Sequence, residues 1–338
     1  MPFHKLQDLP SEWAHFCLNV YSFVQKELGV NLEGRRLLVA LSAGPDSTAL
    51  LRVLYFMAPR LDLKISAAYL NHCLRQEADQ EHEAASRLCS SMNVHLITGR
   101  SKVQVFARRK RTGLEDAARN LRYRFLRGVA ARMGADFILT GHHLNDLAED
   151  VFMRLQRGAG WPALSGMQAF VAEHNILRPF LLTPRKKILD FLQAIDQEFV
   201  FDKSNLDPGF LRNRIKMSVL QEMESINPSF LQVIANLWKL GREDQAYWED
   251  VLAGIERKMS ASQTFMASDI LASLPRAARL RWYKKMLDRL GSGQALLENI
   301  FKLDDLWISR KTGVVVQFPG NKVCRVTRQG IEFKVLHT

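Results

Sequence analysis

Apolar and polar positions alternate along this chain in two distinct rhythms. Trp13 to Leu28 (WAHFCLNVYSFVQKEL) carries apolar residues at helical spacing, with Ser11 available as a cap. Arg35 to Ser42 (RRLLVALS) is a short apolar run ending in a Gly/Pro turn, and Ser47 to Met57 returns to helical spacing. The alternation recurs. Leu63 to Leu70, Asn93 to Thr98 and Asp136 to Thr140 read as strands, whereas Glu77 to Met92, Leu114 to Met133 and Asn145 to Arg157 read as helices. Short apolar strands alternating with helices of ten or more residues predict a parallel sheet with helices on both faces, and ligands at the carboxyl ends of its strands.

Beyond about Lys216 the strand signal stops. Val219 to Met259 reads as mostly helical with a break at Asn227-Pro228, and Arg276 to Leu290 as a further helix. Gly313 to Phe333 alternates in the manner of strands around the turn Pro319-Gly320-Asn321. The expected division is an α/β domain over residues 1–216 and a mainly helical region over 217–338 with a short strand-rich end. A chain of 338 residues, 47% hydrophobic and 24% charged, is long enough for two domains with cores of their own.

Charge narrows the partners. The net charge is +12, and residues 100–132 hold eleven basic side chains against two acidic ones, a concentration that suits a polyanion such as nucleic acid. A solvated helix face would account for the same run. Cys17, Cys73, Cys89 and Cys324 are scattered without a CxxC pair, which argues against a disulfide framework or a metal-thiolate set and for a reducing compartment. No apolar run reaches the roughly 18 residues of a membrane span, and the first residues lack the sections of a signal peptide, so the expectation is a cytoplasmic protein with no membrane partner.

Ser42-Ala43-Gly44-Pro45-Asp46-Ser47 lies between a buried strand and a helix. Small residues there let backbone N–H groups approach phosphate oxygens, the helix N-terminus adds partial positive charge, and two serines add hydroxyl donors. Asp46 would repel bare phosphate unless it holds a Mg²⁺ ion. A plain turn with Asp46 or Ser47 as helix cap fits the same spacing equally well. Asp146, Glu149 and Asp150 fall at i, i+3 and i+4 beside His142 and His143, a carboxylate cluster that calls for a cation such as Mg²⁺ or a substrate ammonium.

These segments resemble one known family. Ser42 to Ser47 is similar to the SGGxDS PP-loop of the N-type ATP pyrophosphatases, with Ala43 in place of a glycine; an alanine is tolerated there if the backbone avoids positive φ. Leu70 to Arg75 (LNHCLR) resembles the VNHGLR segment of the tRNA(Ile)-lysidine synthetases, and Leu114 to Tyr123 their EAxARxxRY. Thr140 to Asp150 resembles HHxDDQxET, with Asn145, Leu147 and Asp150 as departures. Leu155 to Gly160, Ile176 to Leu181, and Phe201 to Asn205 with Phe210 to Lys216 continue the resemblance in order.

The resemblance implies an N-terminal PP-loop ATPase fold, like the adenine nucleotide alpha hydrolases, in a ligase that uses ATP and Mg²⁺. Its partners would be free L-lysine and a tRNA(Ile) with a CAU anticodon, whose wobble cytidine becomes lysidine through an adenylated intermediate. Ser42, Ala43, Gly44, Pro45, Asp46, Ser47 and His72 would bind ATP, and Asp46 and Asp146 the metal. Arg119 or Arg122 would offset phosphate charge, Glu149 would receive the lysine, and His142 or Glu149 would take its proton. Arg108, Arg109, Lys110 and Arg111, read as an exposed basic loop, and Arg212, Arg214 and Lys216 would contact tRNA. A homodimer is compatible with the sequence without being required by it. A thiolase-like PP-loop enzyme, or an RNA-binding protein that has lost catalysis, are the rival readings.

Overall fold

The computed structural model describes residues 3–72, 78–200, 211–258 and 264–336. Two compact units are present, Met1–Leu240 and Gly241–Thr338.

In the first unit, α1 (Ser11–Ser22) is followed by β1 (Arg36–Ala40), α2 (Pro45–Leu61), β2 (Lys64–Asn71), α3 (Ala78–Ser91) and β3 (His95–Arg100). Next come α4 (Val103–Lys110), α5 (Leu114–Met133), β4 (Phe137–Leu139), α6 (Leu144–Gln156), β5 (Phe170–Val171), β6 (Ile176–Leu177) and α7 (Arg185–Ala194). The short helices α8 (Leu211–Arg214) and α9 (Leu220–Ile226) lead into α10 (Phe230–Lys258).

The sheet order is β3-β2-β1-β4-β6-β5, parallel throughout except for β5 against β6. Both faces are covered, as the unbroken apolar runs require. Leu37 and Val39 of β1 join a core with Phe16, Phe56, Phe180 and Phe191, whereas Leu38 packs with Ile138, Leu126 and Val129 on the opposite face. The parallel α/β expectation therefore holds.

Three local features differ from the sequence reading. Ser11 is the first residue of α1 rather than its cap, which is Pro10. Arg108, Arg109 and Lys110 form the last turn of a helix, not a loop, and Arg111 ends it in the left-handed region at φ 52°. Val103 and Ala107 bury the other face of α4, so the cations project from a rigid element whose C-terminal dipole favours them. The first unit also runs to Leu240 instead of stopping at 216. Ile215, Leu220, Phe230, Ile234 and Trp238 close a core against Leu147 and Val151 of α6, which keeps this helical stretch with the sheet domain.

The second unit contains the later part of α10, β7 (Phe265–Ala267), α11 (Ser268–Ser273), α12 (Arg276–Arg289), α13 (Leu297–Ile308), β8 (Val315–Phe318), β9 (Lys322–Val326) and β10 (Gly330–Val335). Its antiparallel sheet has the order β7-β10-β9-β8, and Trp282, Tyr283, Met266 and Phe333 fill the core. Lys322 is fully buried and donates from Nζ to the carbonyls of Leu287 (2.9 Å), Gly291 (3.2 Å) and Gly293 (2.6 Å). Three acceptors match the three donors of an ammonium, and two of them follow or close the carboxyl end of α12, where a cation is favoured.

Candidate active site

Three of the loops that leave the carboxyl ends of the parallel strands build one cavity of about 380 Å³. Ser42, Gly44, Pro45, Asp46 and Ser47 come from the turn after β1, His72 from the end of β2, and Thr140, Gly141 and His142 from the end of β4. Arg122 of α5, Asp146 of α6, Arg185 of α7 and Val200 also line it.

The β1–α2 turn is held by its own hydroxyls. The Ser42 N–H donates to Ser47 Oγ at 3.1 Å, the two serine oxygens share a hydrogen bond at 3.1 Å, and Ser47 Oγ donates to the Gly44 carbonyl at 3.2 Å. Pro45 opens α2 at a position where no N–H is needed. Ala43 has φ +57°, contrary to the expectation that it avoids the left-handed region. It stays there because its methyl is buried and its carbonyl accepts the Val200 N–H at 2.9 Å. Ala43→Gly is expected to change stability by less than about 1 kcal/mol. Relief of roughly 1–2 kcal/mol of left-handed strain is offset by about 0.8 kcal/mol for the lost methyl and about 0.5–1 kcal/mol for glycine's freedom. Urea unfolding of the two proteins checks this.

The β4–α6 turn approaches so closely that a Cβ on Gly141 would lie 2.8 Å from the Asp46 carbonyl carbon and oxygen. Glycine at 141 thus sets the distance between the two turns. His143 then caps α6: the Asp146 N–H donates to its Nδ1 (3.3 Å), and its own N–H donates to Asp146 Oδ2 (3.0 Å). The His143 Nε2 stands 3.5 Å from Asp46 Oδ1, so this buried imidazole sits between the two carboxylates expected to hold metal. Burial opposes its charge, but Asp146 and Asp46 outweigh burial and raise its pKa.

The carboxylate cluster of α6 is arranged differently from the expectation. Arg212 donates from Nε to Glu149 Oε2 (2.5 Å) and from Nη2 to Asp146 Oδ1 (2.9 Å), so a guanidinium supplies the cation these two groups need. Arg212, expected at the tRNA surface, is partly exposed and is engaged by these two carboxylates. Asp150 turns to Arg154 on its own helix at 2.7 Å. Burial raises the Glu149 pKa despite Arg212, and Asp146, whose burial is outweighed by His143 and Arg212, is held well below the usual carboxylate range. Glu149 does not line the cavity; Asp146 does.

The remaining expected residues divide in two. His72 lines the cavity, shares a hydrogen bond with Ser101 Oγ at 3.3 Å, and is pushed down to about 4 by burial and then by Arg122. Burial drives the His142 pKa well below its usual value, with Asp146 opposing and Arg178 adding to it, so His142 is a weak base; Thr140 Oγ1 lies 2.8 Å from its Nδ1. Arg122 enters the cavity wall, whereas Arg119 lies over the Tyr123 ring at 5.0 Å. Arg108, Arg109, Lys110, Arg111 and Arg214 are exposed, and Lys216 is half-buried, near enough to lower the Glu149 pKa. The segments 73–75, 201–205 and Phe210 of the motifs lie outside the described residues.

Nothing in the sequence alone distinguishes His143 or Arg185 as a site residue. His143 was visible only as the second residue of a His pair, and Arg185 sits in an unremarkable basic run, RKK.

The departures Asn145 and Leu147 have structural work. Asn145 Oδ1 accepts the Arg185 backbone N–H at the start of α7 (3.0 Å), and its Nδ2 donates to Glu224 Oε1 at 3.4 Å, a bond that an aspartate could not make. Leu147 is fully buried against Val151 and Trp238 in the α6 core.

As to a divalent ion, the buried Asp46 Oδ1 makes no close hydrogen bond, its nearest donor being His143 Nε2 at 3.5 Å, and Asp146 keeps a lone pair on each oxygen after its present bonds. Hard carboxylate oxygens in this number suit Mg²⁺, which uses one or two carboxylates together with substrate phosphates. Among the described residues no group of three or more His, Cys, Asp or Glu side chains is placed to hold a metal ion.

A parallel sheet that delivers a Ser/Gly turn, a helix N-terminus and an orphaned carboxylate to one cavity defines a PP-loop protein. The PP-loop domain family matches residues 16–223. A tRNA(Ile)-lysidine synthase of Nitratidesulfovibrio vulgaris is 37% identical, the match covering 90% of this chain and 94% of that protein. A second, from Thermosipho africanus, is 36% identical over 64% of this chain and 52% of its own length. A U34-tRNA thiolase from Methanococcus maripaludis shares the fold, with a TM-score of 0.56 at 16% identity, covering 67% of this chain and 77% of that one. The chain belongs to the tRNA(Ile)-lysidine synthase family, a family of ligases. Cys17, Cys89 and Cys324 are buried and free, and no helix among the described residues is long and apolar enough to cross a membrane.

Proposed function

We propose that this protein uses ATP to attach free lysine to the wobble cytidine of a tRNA(Ile) with a CAU anticodon. The observation that carries the reading is the orphaned Asp46 Oδ1 in the PP-loop cavity, in a chain of this family. The cytidine C2 oxygen attacks the α-phosphorus of ATP, the α–β bridging P–O bond breaks, and pyrophosphate leaves. The lysine ε-amine then adds at C2, and AMP departs with the C2 oxygen.

Backbone N–H groups of Ser42 to Ser47 and the α2 N-terminus cradle the phosphates, His72 stays neutral beside the nucleotide, and Arg122 offsets phosphate charge. Asp46 and Asp146 hold Mg²⁺, which supplies charge neutralisation on phosphate oxygens. Lysine's ammonium shares Glu149 with Arg212, whose Nε already donates to its Oε2. With its pKa raised by burial, Glu149 is a better proton acceptor than an ordinary carboxylate, and it is favoured over the weakly basic His142. The exposed end of α4 and Arg214 contact the tRNA backbone, and the region 217–338 is a tRNA-binding region in its own right.

The test is incorporation of radiolabelled lysine into an unmodified isoleucine tRNA transcript with a CAU anticodon, given ATP and Mg²⁺, beside a methionine tRNA control. Label on the isoleucine transcript alone supports the reading; absence of label while the tRNA still binds sinks it.

Gly141→Ala is expected to weaken ATP binding and lower this activity by about 100-fold, because its methyl must displace the Asp46 backbone by several tenths of an ångström. Equal ATP affinity in the two proteins by calorimetric titration would show that the approach of the turns does not matter.

A further inference from the structure

We propose that Arg185 is a further catalytic residue of this site, contacting the β- and γ-phosphate oxygens that leave ATP as pyrophosphate. The inference rests on the reading of the cavity as an ATP site. Arg185 opens α7 and lines the cavity with the PP-loop. Its Nε is buried without a hydrogen-bond partner. It faces Asp46 Oδ1, an oxygen whose other charged neighbour, His143 Nε2, stands at 3.5 Å, across a separation of 4.0 Å. That separation is too long for a hydrogen bond, yet the two are opposite charges on one wall. A buried donor and a buried acceptor left unmade are each costly, so each is arranged for something other than the other.

The electrostatics say what that is. A divalent ion held by Asp46 would take up the charge of that carboxylate, leaving the Arg185 guanidinium beside it to be balanced by another anion. Phosphate oxygens fill that role and match the guanidinium donors. When the α–β P–O bond breaks, its electron pair passes to the departing pyrophosphate, whose added charge Arg185 stabilises by hydrogen bonding without giving up a proton.

The position of Arg185 is fixed from two sides, which separates its side chain from its structural duties. Its backbone N–H is held by Asn145 Oδ1 (3.0 Å), and the Leu144 N–H holds the preceding Thr183 carbonyl (3.0 Å). Neither bond depends on the guanidinium. Substitution at 185 therefore leaves the turn in place, and Asn145 is a positioning residue for it.

The experiment is calorimetric binding of ATP, AMP and inorganic pyrophosphate, each with Mg²⁺, to the parent, Arg185→Gln and Arg185→Lys. Arg185→Gln is expected to lose roughly 10- to 100-fold in affinity for ATP and pyrophosphate, with AMP changed less than about twofold. Arg185→Lys falls between. Unchanged pyrophosphate affinity in Arg185→Gln, or a parallel loss for AMP, overturns the assignment. A parent that binds neither ATP nor AMP refutes the ATP reading itself.

Discussion

Arg212→Ala is expected to lower the unfolding free energy of the first unit by about 3 kcal/mol, because it leaves the carboxylates of Glu149 and Asp146 inside the fold without their guanidinium. Arg212 is partly exposed, which holds the loss toward the lower end of what breaking a buried pair costs. The deficit depends on pH with a defined sign. Burial already raises Glu149 above its ordinary 4.5, and without Arg212 it rises further. A carboxylate raised in the folded state binds its proton more tightly folded than unfolded. Its cost is therefore absent below about 4.5 and grows as the pH climbs through the folded value. Urea unfolding of parent and variant at pH 5 and pH 8 should show the gap widening at the higher pH, and the added change Glu149→Gln should recover part of it. A gap independent of pH would mean that packing, not charge, is what Arg212 supplies.

Asp46→Ala should do the opposite: nearly abolish activity with little effect on folding. Removing the carboxylate expected to hold the metal at the phosphates should lower lysine incorporation by about 10³-fold or more. Its nearest charged groups lie at 3.5 and 4.0 Å and its Oδ1 accepts no hydrogen bond, so stability should fall by less than about 1 kcal/mol near pH 8. The difference grows as the pH falls through the folded His143 value, which lies above 6.5, and is complete below about 6.5, because Asp46 is one of the two carboxylates that raise the His143 pKa. A raised histidine stabilises the fold below its unfolded pKa and loses that effect as the pH rises through the folded value. Retained incorporation in a folded variant would remove Asp46 from the chemistry.

The strands that carry the site were legible because each is a short apolar run buried on both faces, as Leu37, Leu38 and Val39 illustrate. The two-residue strands Phe170–Val171 and Ile176–Leu177 are too short to show a period. The helix Val103–Lys110 is not legible in the sequence because a run of cations hides its two buried positions, Val103 and Ala107. The helix Leu297–Ile308 shows no clear period because Leu297, Phe301 and Ile308 remain exposed and blur its apolar stripe.

The residues at each strand end could be chosen from sequence, since local turn chemistry places them. Their partners could not. Arg212 meets Asp146 and Glu149 from more than sixty positions away, and nothing nearby in the chain marks it as their counter-ion rather than a phosphate contact. Likewise the left-handed Ala43 is imposed by burial and by the Val200 N–H, both tertiary.

The ammonium of Lys322 bears on how nucleic-acid binding is measured. Polyanion contacts at exposed cations are weakened steeply by added salt, and so are exposed ion pairs that help hold a domain together. Salt could then loosen protein and complex together. Lys322 is held by three neutral carbonyls behind a solvent-excluded core, so mobile ions have neither access to it nor an opposing charge to screen. This anchor between β9 and the end of α12 persists at ionic strengths that strip a polyanion from the surface.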